Sequence, residues 1–201
     1  MRAEVLAEAR RKSIHAIPGF LAYPIIVWLG RWPAAVISAF FLALYTLNEL
    51  SLRGKLRVKV PVAYHTFRIM ARRDEWEKGY FTGTVYFWAL TLLTILALPP
   101  AEAAAAVMVS SLGDAAAALA GKLFGKPPLP YNRRKTLPGL AAMMAVSTAS
   151  CLLAGLPPAK AFLASVAASL VESFTRTSVL DELTVPAAAL VALWLLGTLS
   201  T

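Results

Sequence analysis

Asp114 stands inside a long run of Ala, Leu, Val and Ser that is otherwise apolar enough to cross a membrane. A charge in such a run is costly and marks a functional site by default. Ala118, Gly121 and Gly125 follow it on the same helical face, after Gly113 and a turn that carries Ser110 and Ser111. Small residues on one face allow close helix packing, and they let a ligand approach the backbone. A cationic loop comes next, with Lys122, Lys126, Arg133, Arg134 and Lys135. A buried acid beside clustered positive charge suits a metal-bound polyphosphate at a membrane surface. The plainer alternative is an acid neutralised by a lysine from another helix.

Further acids need a reason. Ser165, Ser169, Glu172 and Arg176 form a polar stripe on one helix face, and Asp181-Glu182 opens the next apolar segment. Glu172 and Arg176 have the spacing of a local ion pair, and acids at a helix start are favoured by the dipole. Asp114, Glu172 and Asp181, from three helices, are also a set of oxygen ligands for Mg²⁺, which is often held together with substrate phosphates. Lys135-Thr136 precedes a helix whose first amides are anion donors, with Pro138 suited to its first turn. Arg11, Lys12 and His15 precede the first apolar segment, and Glu49, a weaker candidate, ends the second beside Arg53. His65 and Cys151 have no supporting constellation.

The elements that position these groups follow from composition. The chain has 201 residues, 58% hydrophobic and 15% charged, against about 45–50% and 25% for a soluble domain. An all-α, polytopic membrane protein is expected. The net charge of +9 does not require nucleic acid, because Lys and Arg gather on the cytoplasmic side of membrane proteins. One cysteine excludes an intramolecular disulfide, and no zinc-type Cys/His cluster is present. No small-residue cleavage site follows the basic start, so the first apolar run reads as mature protein rather than a signal peptide.

Seven apolar segments are visible, near residues 13–30, 33–50, 79–98, 100–121, 137–154, 157–175 and 183–199. Each approaches the ~20 residues that cross the hydrocarbon, and Pro/Gly clusters separate them. Four basic residues lie before the first, eight after the second, five after the fourth and one after the sixth; only Arg31 and Lys160 fall on the other side. This asymmetry places the N-terminus in the cytosol and the C-terminus outside. Asp114, Glu172 and Asp181 then share the cytosolic side. In the long loop, Pro61 is expected to open a short helix with Ala63, Phe67 and Met70 on one side, lying in the interface or ordered by neighbours. No Walker-type loop exists: Gly121-Lys122-Leu123-Phe124-Gly125-Lys126-Pro127 has the wrong spacing and no Ser/Thr after Lys.

The order of motifs resembles the CTP-dependent polyprenol kinases, a family that includes dolichol kinase, phytol kinase and the CTP-using diacylglycerol kinase. The resemblance runs through Arg11-Lys12-x-x-His15, Glu49 and Arg53, and Glu75 with Gly79. Its core is Gly113-Asp114-x-x-Ala117 with Gly121 and Gly125, then Lys135-Thr136-x-x-Gly139. It ends with Glu172 and Asp181-x-x-x-x-Pro186. Pro138 and Leu140 stand where the family has Glu and Ser/Thr, and Asp181-Glu182 where it has Asp-Asn.

The resemblance implies transfer of the terminal phosphate of CTP, with Mg²⁺ or another divalent cation, to the hydroxyl of a lipid alcohol. It implies Asp114 as metal ligand or general base, with Lys135, Arg133 and Arg134 on phosphates. Asp181 and Glu172 would complete the metal site or orient the nucleotide. Arg11, Lys12 and His15 would close the site; Gly113, Gly121, Lys122, Gly125, Thr136 and Gly139 would line the nucleotide. The lipid tail would enter between helices and CTP from the cytosol. Two alternatives stay open: a membrane cytidylyltransferase releasing pyrophosphate, and a small ion-coupled transporter. A transporter would favour inverted repeats and midplane acids; no internal repeat is visible.

Overall fold

A computed structural model describes residues 2–57 and 60–198. Lys59 of the basic loop and Leu199, which ends the last expected span, lie outside the described residues. The regular secondary structure of the described residues is helical apart from one isolated bridge between Pro128 and Thr136. Its elements are α1 (Arg2–Tyr23), α2 (Arg31–Leu52), α3 (Pro61–Met70), α4 (Arg73–Lys78), α5 (Thr82–Ala97), α6 (Pro100–Met108), α7 (Asp114–Phe124), α8 (Leu137–Leu153), α9 (Pro158–Phe174) and α10 (Ser178–Thr198). π-helical turns extend α1 over Pro24–Trp28 and join α6 to α7 over Val109–Gly113.

Each of the seven apolar segments coincides with a helix, because Pro and Gly punctuate the chain where they cannot continue one. Pro100, Pro138 and Pro158 sit in the first turns of α6, α8 and α9, where a missing N–H costs nothing. The first segment differs in extent: α1 begins at Arg2, so the charged N-terminal stretch is helical too. Among the described residues, three helices are long and apolar enough to cross a membrane: Arg31–Leu52, Pro100–Phe124 and Val179–Thr198. Thr82–Ala97 and Leu137–Leu153 are shorter apolar helices.

The continuous helix Pro100–Phe124 is the axis of the fold. α1, α5, α8 and α10 pack around it, α9 closes against α8 and α10, and α2 lies outside α5. Small side chains are prominent in the core, where Ala103, Ala104, Ala105, Ala161 and Ser165 are fully buried beside Leu98, Met143 and Leu193. Phe20, Trp28, Trp32 and Leu153 are 71–75% exposed. Small residues inside and large apolar ones outside is the packing of helices in lipid, where close backbone approach rather than water exclusion drives association.

α3 forms as its sequence predicts, with Ala63, Phe67 and Met70 on its buried face. That face is spent on the protein rather than on a membrane interface. Phe67 packs edge-on to Phe81 at 5.4 Å and stacks on Trp76 at 5.0 Å, while Tyr45 and Thr66 share a 3.1 Å hydrogen bond. α3 and α4 thereby become a wall over one end of the bundle.

Candidate active site

The contact that builds the site is between α1 and the central helix. Pro18 lacks an N–H and loosens α1 at that turn. The Ser111 hydroxyl enters the gap, accepting from Gly19 N at 3.2 Å and donating to the His15 carbonyl. A side chain inserted into a helical ladder is a recognised cause of bending. A Cβ at position 19 would meet Leu112 Cγ at 2.7 Å and Ser111 Cβ at 3.0 Å, so glycine is required for the approach. The π turn at Val109–Gly113 shifts the register. Ser111 thus faces α1, Gly113 packs on α8 with room for no Cβ beside Ser147 Oγ, and Asp114 faces an open cavity.

Lys12 pairs with Asp114 across 102 residues of chain. His15, one turn on, has Nε2 3.4 Å from Asp114 Oδ2 and Nδ1 3.6 Å from Glu182 Oε2. All four side chains are buried or nearly so. An aspartate neutralised by a lysine from another helix is therefore present, and it stands in a cavity rather than in a sealed core.

A second charge cluster hangs from the loop between α7 and α8. Gly125, with φ +56°, ends α7. The chain then doubles back, with Leu129 N donating to Lys135 O at 2.9 Å and Leu137 N to Pro127 O at 2.9 Å. Buried Asn132 ties this loop to the end of α9: its Nδ2 donates to Ser173 O at 2.9 Å and Thr175 O at 3.0 Å, and its Oδ1 accepts from Arg134 N at 3.2 Å. Tyr131 stacks on Phe174 at 4.6 Å and donates to Ser173 Oγ at 2.9 Å. The clamp delivers the Lys135 ammonium to Glu172 and, at 3.1 Å, to Asp181. Burial alone would depress the Lys135 ammonium, but Asp181 and Glu172 outweigh it and hold it above its ordinary range. Glu172 is thus paired with Lys135, not with Arg176, whose carbonyl instead accepts from Arg134 Nη1 at 2.8 Å.

Both clusters open into one cavity of about 950 Å³. Asp114, Ala118, Gly121 and Lys122 form one side, with Arg134, Lys135, Thr136 and Gly139 beside them. Glu172, Arg176 and Asp181 form another side, and Glu8, Arg11 and Lys12 of α1 a third. The α3–α4 wall closes it through Met70, Arg72, Arg73 and Asp74. Eight lining residues are Arg or Lys and five are Asp or Glu, so the cavity carries excess positive charge. Burial and the facing Arg11 push the Arg72 guanidinium below its ordinary range. Burial opposes the Arg11 charge as well, but Glu8, Asp114 and Glu182 hold it above its ordinary range. Arg11 pairs with Glu8 through Nη2, while its buried Nε has no hydrogen-bond partner among the described residues. Two guanidiniums confined together in this way favour an anion between them.

Not every expected residue reaches the cavity. Gly113 and Gly125 serve helix packing and helix termination. Gly139 lines the cavity but also lets α8 approach α7, since a Cβ there would meet Ala117 O at 2.9 Å. Thr136 caps α8 by accepting from Gly139 N at 3.2 Å, which occupies one of the amides expected to bind an anion. Arg133 is exposed and lies off the cavity lining. His15 sits at its floor without lining it. Glu49 lies apart, where it accepts from Arg53 Nε at 2.7 Å, Thr82 Oγ1 at 2.6 Å and Phe81 N. Ser165 and Ser169 face the helix core. Arg72, Glu8 and Asn132 also belong to the site and its support, though the sequence does not mark them. Arg72 reaches the site only because α3 docks on α1, α2 and Phe81, and Asn132 carries no signal beyond a polar type in a loop.

The chain matches no protein-family model, no curated protein and no solved structure.

Proposed function

We propose that this protein is an integral-membrane lipid-alcohol kinase that transfers the terminal phosphate of CTP to the hydroxyl of a polyprenol- or dolichol-type alcohol at the cytosolic face. The observation that carries this reading is one shared cavity in which Asp114 on the axial helix faces Arg11, Lys12, Arg72, Arg134 and Lys135. Phosphoryl transfer is mostly positioning and neutralisation of charge, and this lining supplies both. The volume falls within the roughly 300–1,000 Å³ of ligand pockets. The choice of CTP and of an isoprenoid alcohol rests on the resemblance in motif order.

In this reading all seven apolar helices cross or enter the bilayer, with the N-terminus inside and the C-terminus outside. The cations around the cavity belong to the set that charge asymmetry assigns to the cytosol, so CTP enters from that side.

Arg11 and Arg72 hold the phosphate chain between them, with Lys122 and Arg134 at the rim. Lys135 bears on the transferring phosphoryl while keeping Glu172 and Asp181 in place. Asp114 orients the lipid hydroxyl and accepts its proton. The alcohol oxygen forms a bond to the terminal phosphorus, the bridging bond to the next phosphate breaks, and CDP leaves with the electron pair. The residues also fit a divalent cation: Glu172 and Asp181 offer the oxygen ligands Mg²⁺ favours, and the buried Asp181 Oδ1 has no hydrogen-bond partner among the described residues. A cation held by those two carboxylates would supply charge neutralisation at the phosphates.

The test is a panel of lipid alcohols offered to purified protein in detergent with CTP, ATP or GTP, with Mg²⁺ or with chelator. A lipid monophosphate formed with CTP and Mg²⁺, and not with chelator, is the expected product. Absence of any lipid phosphate from folded protein contradicts the reading.

A further inference from the structure

We infer that His15, Asp114 and Glu182 form a divalent-cation site of their own at the cavity floor, one that takes a first-row transition ion such as Mn²⁺ in preference to Mg²⁺. The inference rests on the kinase reading for the ion's role in the cavity, but not for its existence.

The three residues come from α1, α7 and α10, and one ligand atom of each lies within 4.8 Å of the others. The His15 side chain is 6% exposed, and its Nε2 is buried with no hydrogen-bond partner among the described residues. An orphaned ring nitrogen at this depth is costly unless something binds it. It stands 3.4 Å from Asp114 Oδ2, while two ligands on one ion with bonds near 2.1 Å stand about 3.0–3.4 Å apart. Glu182 Oε2 is 3.6 Å from His15 Nδ1, within the span that brings one ligand atom of each residue together.

The surroundings hold the trio in place. Phe87 lies against the imidazole with ring centroids 5.0 Å apart, and Ser111 holds the His15 carbonyl. Gly83 leaves room for Glu182, whose Cγ would lie 3.1 Å from a Cβ at that position. A second cavity of about 20 Å³ beside Glu182, lined also by Arg11 and Gly83, has room for about one water.

One imidazole with two carboxylates is not a Mg²⁺ donor set. Mg²⁺ keeps oxygen ligands and waters, whereas imidazole suits the first-row transition metals and carboxylates suit Mn²⁺. Lys12 already neutralises Asp114, so its ammonium competes with the ion. Metal binding then releases Lys12 toward the phosphates in the same cavity.

The experiment is Mn²⁺ titration of the purified protein in detergent, without nucleotide or lipid, read by electron paramagnetic resonance with pulsed detection of ¹⁴N coupling. One Mn²⁺ per chain with an imidazole nitrogen signal is expected, and the signal disappears in His15→Gln. Loss of even an outer partner costs a metal site about 10–100-fold in affinity, so Glu182→Gln weakens binding by at least about tenfold. Lys12→Met tightens it. Mn²⁺ bound through oxygen alone, or not bound, overturns the inference, as does Lys12→Met weakening the binding. Should His15→Gln not fold, the wild-type nitrogen signal with Glu182→Gln and Lys12→Met decides. No substrate is present, so failure of the kinase reading leaves these signals untouched. Oxygen-only Mn²⁺ in an active kinase overturns this site alone.

Discussion

The Ser111 hydroxyl lies inside the backbone ladder of α1, donating to the His15 carbonyl and accepting from the amide of Gly19. That insertion fixes the facing turns of two helices. Lys12 and His15 follow from it on one helix and Asp114 on the other. Gly19→Ala forces a Cβ into Leu112, and overpacking of this kind costs about 1–3 kcal/mol. Thermal unfolding in detergent should register that loss, with lipid phosphorylation falling further because Lys12 and Asp114 separate. Ser111→Ala is milder, at about 1 kcal/mol, since Gly19 N can rejoin the His15 carbonyl. Equal stability of wild type and Gly19→Ala contradicts the packing described.

Lys135 joins two acids from different helices, and its removal leaves Glu172 and Asp181 facing each other. Lys135 is 18% exposed at its side chain and Asp181 16%, so the cost is below the about 3–5 kcal/mol of breaking a fully buried pair. Lys135→Met is expected to destabilise the protein, and adding Glu172→Gln to recover part of the loss. Additive behaviour of the two changes in a double-mutant cycle contradicts the shared contact.

Asn132 acts at a distance from the cavity. Asn132→Ala removes both donors to the end of α9 and the acceptor for Arg134 N, leaving buried carbonyls unpaired at about 1–3 kcal/mol. The loop that carries Arg134 and Lys135 then loses its clamp. Cleavage within residues 125–136 under limited proteolysis should accelerate, and KM for the nucleotide should rise more than kcat falls.

Arg72 faces Arg11 with burial and like charge both against it. Arg72→Gln is expected to raise KM for the nucleotide while the unliganded protein becomes slightly more stable. Unchanged KM would place the phosphates away from the α3–α4 wall.

The legible part of this molecule is local. Apolar runs bounded by Pro99-Pro100 or by Gly155 through Pro158 announce helices, because those residues cannot continue one. Pro61, Ala63, Phe67 and Met70 announce α3 and its buried face in the same way. The N-terminal extension of α1 was hidden, since a helix whose charges serve a cavity shows no apolar run. The π turn before Asp114 was hidden as well, because it depends on Ser111 meeting α1. At the site, the cost of its charge marks Asp114 in the sequence, which predicts a lysine partner only as a type. That the partner is Lys12 depends on a contact 102 residues away. Arg72 and Asn132 were illegible because each acquires its place from tertiary docking.

Which phosphate moves separates a kinase from a cytidylyltransferase. Purified protein with Mg²⁺ and a polyprenol should be given CTP labelled at either the terminal or the innermost phosphorus, with Asp114→Asn in parallel. The expected result is label in lipid monophosphate from terminally labelled CTP only, with release of CDP and loss of transfer in Asp114→Asn. Label entering the lipid from the innermost phosphorus with release of pyrophosphate, or full transfer by Asp114→Asn, contradicts it.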